Sequence, residues 1–442
     1  MISRRYGTFA GGIELPDEKQ ATLDKPIRRC DQPSRLRIPL APAGGAEALP
    51  IVQPGQTVVA GEKIAVAAGA GGLDIFTGLG GRVAAIAMAD LVTQQGLRTS
   101  QAIELTDLSA GGELQPASPV FDWQTADGEE LLARLGDGGL VTHRRPSEPL
   151  TRWIKAAREK NCRVLIANVM ENSPHVTADH RLLIEHGGQV IEGLAILAGV
   201  IGVEEVFFVA DQRRTDDYRR LIGPARAFGI NRIALPHKYP IGADAILVKV
   251  LTRREVAPGS GVMDVQAAVI DAATCFAVYR WAVCGVRPVG RVVTVAGERA
   301  ERPGNFYVPF GAGCMELVGS AERSVIHGGP MTGLVCSAET VVGPATNMLL
   351  AIEPPTASLP APCIRCGWCS DHCPARLNVA MLNDAFELGL LDRAHKNGVL
   401  ACVECGVCSY VCPARLPLGQ RVKQLKQTIR FMDKNMPLFV KR

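Results

Sequence analysis

The sequence predicts a multidomain α/β plus β protein: a lipoyl-like β-sandwich, a parallel α/β flavin-type domain, a β-grasp module and a C-terminal α-helical ferredoxin domain. Three observations carry the prediction. Residues 36–105 alternate short apolar runs with glycine turns, residues 127–256 change to apolar strands separated by helices, and residues 363–413 hold two copies of a Cys-x2-Cys-x2-Cys-x3-Cys-Pro run. The boundaries that follow are 1–126 for the sandwich, 127–290 for the α/β domain and 291–350 for the β-grasp module. A proline-rich linker (351–361), a dicluster domain (362–416) and a basic helix (417–442) complete the chain.

The sandwich is read from LRIPL, PIVQPGQTVVAGEKIAVA and IFTGLGGRVAAIA, period-2 runs broken at Pro54-Gly55, Gly61 and Gly78–Gly81. A carrier of this shape presents a lysine at its central hairpin tip. None lies between Lys63 and Arg82, so the module is expected to be a scaffold.

In the next segment CRVLIANV, VEEVFFVA and NRIALP read as buried strands, with DHRLLIEHGGQVIEGLAILAGVI and TDDYRRLIGPARAFG as helices between them. Apolar strands joined by helices imply a parallel sheet whose ligand lies at the strands' C-terminal ends. That places candidate positions at Asn168–Pro174 and at His237, Lys238 and Tyr239. Farther on, RVVTVAGERAERPGNFYVPFGAGCMELV reads as the β-grasp unit, followed by RSVIHGGPMTG, where Gly328, Gly329 and Gly333 permit a tight loop.

The cysteine blocks are CIRCGWCSDHCP and CVECGVCSYVCP. Three thiolates on a short loop reach three corners of one iron–sulfur cube, while the fourth, just before the proline, reaches a second cube. Two [4Fe–4S] clusters follow, one on Cys363, Cys366, Cys369 and Cys412, the other on Cys402, Cys405, Cys408 and Cys373. Structural zinc is the alternative, but it needs pairs of cysteines where each block offers three at one step and then Cys-Pro. A helix with Val379, Leu382, Phe386 and Leu390 on one stripe joins the blocks. The last helix carries Val422, Leu425, Ile429 and Met432 on one face and Lys423, Lys426, Arg430 and Lys434 on another; it either packs on its own domain or offers a basic surface. The other six cysteines lie among apolar residues and read as small hydrophobes.

A net charge of +4 over 442 residues, with no basic groove interleaved with aromatics, excludes nucleic acid as the main partner. The apolar stretches GLAILAGVIG and QAAVIDAATCFAVYRWAVCGV are too short or interrupted by Asp271 and Arg280, short of the about 20 clean residues that a spanning helix requires. The N-terminal MISRRYGTFAGGIELP lacks an export signal, so a reducing compartment is expected.

The order of FAGGIELPDEK, the sandwich, HKYPIGAD, ERPGNFYVPFG, VIHGGPMTG, TNMLL and the twin cysteine blocks resembles the RnfC family, a component of the Rnf ion-translocating ferredoxin:NAD oxidoreductase, over nearly the whole chain. The resemblance implies a peripheral electron-transfer subunit at the cytoplasmic face of a bacterial inner membrane. Its partners would be the integral membrane and iron–sulfur subunits of the complex and, through them, ferredoxin. It also implies an FMN site like that of the complex I flavin subunit, with NADH as hydride donor. Part of the pattern is missing. Where the family has a glycine-rich loop this chain reads THRRPSEPL, in which Arg144 and Arg145 could hold phosphate by charge. The family's Asn-Ala-Ala-Glu-Cys-Glu-Pro becomes NVMENSP, keeping Asn168, Glu171 and Pro174 but placing Ser173 at an acidic position. Two other readings stay open: a flavin-less docking and cluster-relay adaptor, and a cobalamin reductase-like flavoprotein.

Overall fold

Period-2 and helix-period segments find the partners their patterns call for, alongside strand pairings that no local pattern announces. The computed structural model describes residues 8–69, 72–93, 96–109, 114–319, 324–353 and 359–435. Two compact units emerge. One joins residues 17–234 and 266–354; the other joins residues up to 16, 235–265 and those from 355 onward.

In the first unit the sandwich consists of a four-stranded sheet (Leu36–Pro39, Leu97–Thr106, Gly81–Val92, Thr57–Val58) and a three-stranded sheet (Leu49–Pro50, Lys63–Val66, Ile75–Phe76). The long hairpin Gly81–Val92/Leu97–Thr106 is antiparallel, with a register shift between Val83 and Ala85. Inward-facing Leu36, Ile38, Ile64, Ile103 and Leu105 are buried. Lys63 pairs with Asp74 at 2.6 Å.

The α/β domain has a four-stranded sheet ordered Asn231–Leu235, Glu205–Asp211, Val164–Val169, Ala267–Asp271. Val164–Val169 is parallel to both of its neighbours. The helix Ala178–Ile201 is long and apolar enough to cross a membrane by length and composition alone. Here fourteen of its residues are buried. It packs on the helix Ala272–Ala282, and a Cβ added at Gly193 would stand 1.9 Å from the Cys275 carbonyl oxygen. The strongly apolar pattern of this helix reflects an interior position on several sides.

The segment expected to form a β-grasp module builds a sheet that extends beyond its sequence boundaries. A six-stranded sheet runs Ile27–Arg29, Gly304–Pro309, Gly290–Ala296, Met348–Ile352, Ser324–His327, Leu334–Val335. Its outer strand comes from the segment assigned to the sandwich, Ile27 pairing with Asn305 and Arg29 with Tyr307. Sandwich and grasp share one apolar core, in which Leu36, Ile38 and Ile64 meet Val293, Val308 and Val325.

The second unit interrupts the sequence range 127–290, because residues 235–265 fold with the cysteine blocks. Ile13 N–H and Tyr239 N–H donate to each other's carbonyls at 3.0 and 2.8 Å, and Gly12 N–H donates to the His372 carbonyl at 2.9 Å. Gly11 and Gly12 of FAGGIELP are required there: at φ +66 and +73 a Cβ would fall 2.7 Å from Cys373 O and 2.6 Å from Tyr239 O. The helices Val379–Glu387, Leu391–Lys396 and Leu418–Asn435 close the cysteine core with buried Leu382, Val422, Leu425 and Ile429. Lys426, read as part of a basic stripe, turns inward instead: it is 6% exposed and pairs with Glu404 at 2.8 Å. The Lys434 side chain and residues 354–358 of the linker lie outside the described residues.

Candidate iron–sulfur centres and the flavin-type cleft

The two cysteine blocks fold as near-copies of each other. Left-handed backbone recurs at Arg365 and Gly367 in the first and at Glu404 and Gly406 in the second, then at Arg376 and Arg415, three residues past Cys373 and Cys412. Such turns bring successive N–H groups toward one point, suited to sulfur carrying negative charge. Glu404 N–H lies 3.3 Å from Cys402 Sγ and Leu377 N–H lies 3.4 Å from Cys373 Sγ. One-turn helices, Trp368–Asp371 and Val407–Tyr410, hold the third cysteine of each block. Ser370 accepts from Val379 N–H at 3.1 Å and Ser409 from Gly419 N–H at 2.8 Å, tying each block to the helix after it. The repeated Cys-Ser pair is visible in the sequence, although its hydrogen bond is not.

The thiols sort into two sets that cross between the blocks. Cys363, Cys366 and Cys369 line a pocket of about 390 Å³ together with Cys412 from the second block. Cys373 from the first block lies within electrostatic reach of Cys402, Cys405 and Cys408. The sets differ in environment. Cys363 and Cys366 are exposed, whereas Cys373 is buried and Cys402, Cys405 and Cys408 are partly so. Burial pushes the Cys402 thiol up to about 11 and the Cys405 thiol to about 12. Bound iron reverses this, because a metal ion favours the thiolate. Every donor in both sets is sulfur, the ligand chemistry of an iron–sulfur cube.

Lys238 and Tyr239 serve this unit. The Lys238 ammonium donates to the Phe9 carbonyl at 3.0 Å and stands 4.6 Å from the Phe9 ring centroid. The Tyr239 hydroxyl donates to the Cys405 carbonyl at 2.7 Å, on the backbone of a cysteine block. Asn168, Glu171, Arg144 and Arg145 belong to the other unit.

Asn168 and Glu171 stand at and just past the C-terminal end of the strand Val164–Val169 with polar atoms already engaged. Asn168 Oδ1 accepts from Met170 N–H at 3.3 Å. Glu171 caps the helix Ala178–Ile201: Asp179 N–H and His180 N–H donate to its two carboxylate oxygens at 2.8 and 2.9 Å. Two partly buried bonds to a carboxylate at a helix start predict that Glu171→Ala lowers unfolding free energy by about 1–2 kcal/mol in a urea titration, whereas a cleft residue without this role would leave it unchanged. Asp179 is half-buried near Glu171 and Asp271, and its pKa is raised well above the ordinary carboxylate value, by desolvation first and then by these charges. Ser173 Oγ would stand 2.1 Å from a Cβ added at Gly329, so this side chain packs on the grasp module's glycine loop.

The loop 141–149 is closed on itself. Thr142 N–H donates to the Glu148 carbonyl at 2.9 Å, Leu150 N–H to the Leu140 carbonyl at 2.9 Å and Glu148 N–H to Thr142 Oγ1 at 3.0 Å. His143 N–H donates to Thr274 Oγ1 at 2.7 Å, and an Arg144 guanidinium N–H donates to the Val269 carbonyl. Four backbone donors are thus committed inside the protein. The residues present do not fit a backbone-amide cradle for the phosphate of FMN.

Buried histidines make the first unit sensitive to acid. His143 and His327, 5% and 1% exposed, and His180, 7% exposed, have pKa values lowered to about 3, chiefly by burial. Folding holds them neutral, so between pH 6.5 and 3 the unfolded chain binds more protons and stability falls as pH falls. From pH 6.5 to 5 each contributes a loss of roughly 2 kcal/mol. Urea midpoints of this unit's tryptophan signal, read at pH 7 and pH 5, are expected to drop accordingly; equal midpoints would show that the histidines titrate alike in the folded and unfolded chains.

Twin cysteine loops joined by helices, together with a parallel α/β domain and two β modules, define an iron–sulfur electron-transfer protein with a flavin-type domain. Residues 7–107 match the RnfC barrel sandwich hybrid domain, residues 145–280 the Nuo51 FMN-binding domain and residues 358–413 the 4Fe-4S dicluster domain. The chain is 32% identical over 407 residues to the RnfC protein of the ion-translocating oxidoreductase complex of Rhodobacter capsulatus, spanning 89% of this chain and 78% of that one. It is 29% identical over 385 residues to the corresponding protein of the proton-translocating ferredoxin:NAD(+) oxidoreductase complex of Clostridium ljungdahlii, spanning 85% and 84%. The chain belongs to the RnfC family of ion-translocating oxidoreductase components.

Proposed function

We propose that this chain is the electron-transfer subunit of an Rnf-type ferredoxin:NAD oxidoreductase complex, relaying single electrons through two [4Fe–4S] clusters. The observation that carries the reading is the crossing of the two thiol sets. Each set takes three sulfurs from one block and one from the other, so the two clusters are held in one small core and at fixed separation. Bound clusters supply one-electron acceptance. The chain's own residues hold sulfur at the corners, turn N–H groups toward it and shelter one set more than the other. Cys363, Cys366, Cys369 and Cys412 are the ligands of the exposed cluster, and Cys402, Cys405, Cys408 and Cys373 those of the sheltered one. The partners are integral membrane and iron–sulfur subunits, and the chain sits peripherally on the cytoplasmic face of the inner membrane.

Protein isolated anaerobically is expected to contain about eight irons and eight acid-labile sulfides per chain, with an EPR signal after dithionite. Two zincs per chain and no signal would overturn the reading.

The closed loop 141–149 favours a second, narrower reading, in which the chain relays electrons delivered by another subunit. Asn168, Glu171, Arg144 and Arg145 then shape the cleft without holding a flavin. Its test is the flavin content of the same sample: less than about one-tenth of an FMN per eight irons is expected, and stoichiometric FMN would restore the family's NADH-to-flavin route.

A further inference from the structure

Arg145 and the VIHGG loop meet in the first unit. Arg145 and His327 line a pocket of about 660 Å³, whose other walls come from the sandwich (residues 41–44, 91–93, 98 and 100) and from the turn 343–346. Gly328 makes the approach possible. At φ +92 it carries no side chain, and a Cβ there would stand 2.7 Å from a terminal nitrogen of Arg145. The pocket is one-signed: Arg98 and Arg145 line it, and none of the described lining residues is acidic. Arg98 is held in place by a bond to the Gly45 carbonyl at 3.2 Å. Hydroxyls of Ser100, Ser147 and Thr346 complete the lining.

His327 adds a polar group. Its Nε2 lies 2.7 Å from Thr346 Oγ1, which also accepts from Gly343 N–H at 2.9 Å. Thr346 Oγ1 has a second lone pair and a proton of its own, so either atom of this bond can donate. The His327 Nδ1 is buried and has no partner among the described residues. A buried ring nitrogen without a partner is costly, and His327 lines the cavity together with Arg98 and Arg145.

We propose that this pocket binds the phosphate group of a small molecule, with Arg145 and Arg98 as charge partners and the His327, Ser147 and Thr346 side chains as hydrogen-bond partners. The site goes beyond the electron relay and does not depend on it: it is built from the sandwich, the grasp module and the loop 145–147. Guanidinium forks suit phosphate oxygens geometrically as well as electrically. A phosphomonoester and the free ion present the same oxygens to these donors.

The test uses the cluster-loaded full chain and inorganic phosphate in a calorimetric titration at low salt. One saturable site is expected, weakened at least about tenfold by Arg145→Gln and by Arg98→Ala, and weakened by added salt. Iron content and the urea midpoint of each variant check that the fold is retained, and Arg98→Ala keeps the test decisive if Arg145→Gln does not fold. A second arm adds FMN or riboflavin. Displacement of phosphate by FMN but not by riboflavin supports a phosphomonoester as occupant, and phosphate binding undisturbed by either supports the free ion. Absence of saturable phosphate binding, or binding untouched by both arginine substitutions, overturns the proposal.

Discussion

Cys412→Ser is expected to remove the iron held by Cys363, Cys366 and Cys369 while sparing that held by Cys402, Cys405 and Cys408. Cys412 stands four residues after Cys408, yet the spacing of the motif already assigns it to the other block's cluster. The structure puts it in the pocket of the first block. Iron should fall from about eight per chain to about four, with half of the dithionite-reduced EPR signal lost. Pairwise combination makes the test sharp. Cys363→Ser with Cys412→Ser should lose no more iron than either alone, because both substitutions strike one cluster. Cys363→Ser with Cys373→Ser should lose nearly all of it. An uncrossed arrangement predicts the opposite pattern in both doubles. Cys373→Ser also disturbs packing, since Cys373 is 9% exposed and belongs to the buried core of its unit. Iron content of that variant is therefore best read together with its unfolding midpoint.

Gly193→Val is expected to be the most destabilising single substitution in the α/β domain. The helices Ala178–Ile201 and Ala272–Ala282 touch backbone to backbone at this point, and a Cβ would lie 1.9 Å from the Cys275 carbonyl oxygen. No rotamer relieves a clash between a Cβ and a main-chain oxygen, so the helices must separate along their contact. A loss of about 3 kcal/mol or more is expected in urea unfolding, with exchange protection falling in both helices. Gly199→Ala is the control. It lies in the same helix with nothing within 4 Å of its notional Cβ, and it should raise stability by about 0.5–1 kcal/mol through helix propensity alone. Equal effects at the two glycines would refute the close-contact explanation.

How legible all this is in the sequence depends on how local the physics is. The cysteine blocks are legible because cluster geometry fixes their spacing within a dozen residues. The parallel strands are legible because burial on both faces makes them continuously apolar. The grasp sheet's outer strand is not: Ile27–Arg29 is three residues long, two of them arginine, and acquires its identity only by lying along Gly304–Pro309. Lys238 and Tyr239 mislead for a related reason. They follow a strand of the α/β sheet, where a cleft residue belongs. Both belong to the second unit, where Tyr239 pairs with Ile13, and their polar atoms end on Phe9 and Cys405. Lys426 looks like surface in a stripe of basic residues, until Glu404 gives it a partner close to Cys402.

The second unit is assembled from three stretches that lie far apart along the chain, residues 8–16, 235–265 and 359–435. During synthesis the first two can pair with each other, as Ile13 does with Tyr239, but their bonds to the cysteine blocks wait until the last has left the ribosome. Such distant pairings form late, so iron delivery is the closing event of biogenesis. A ribosome stalled near residue 350 should display a protease-resistant α/β domain, with the FAGGIELP segment still open to cleavage.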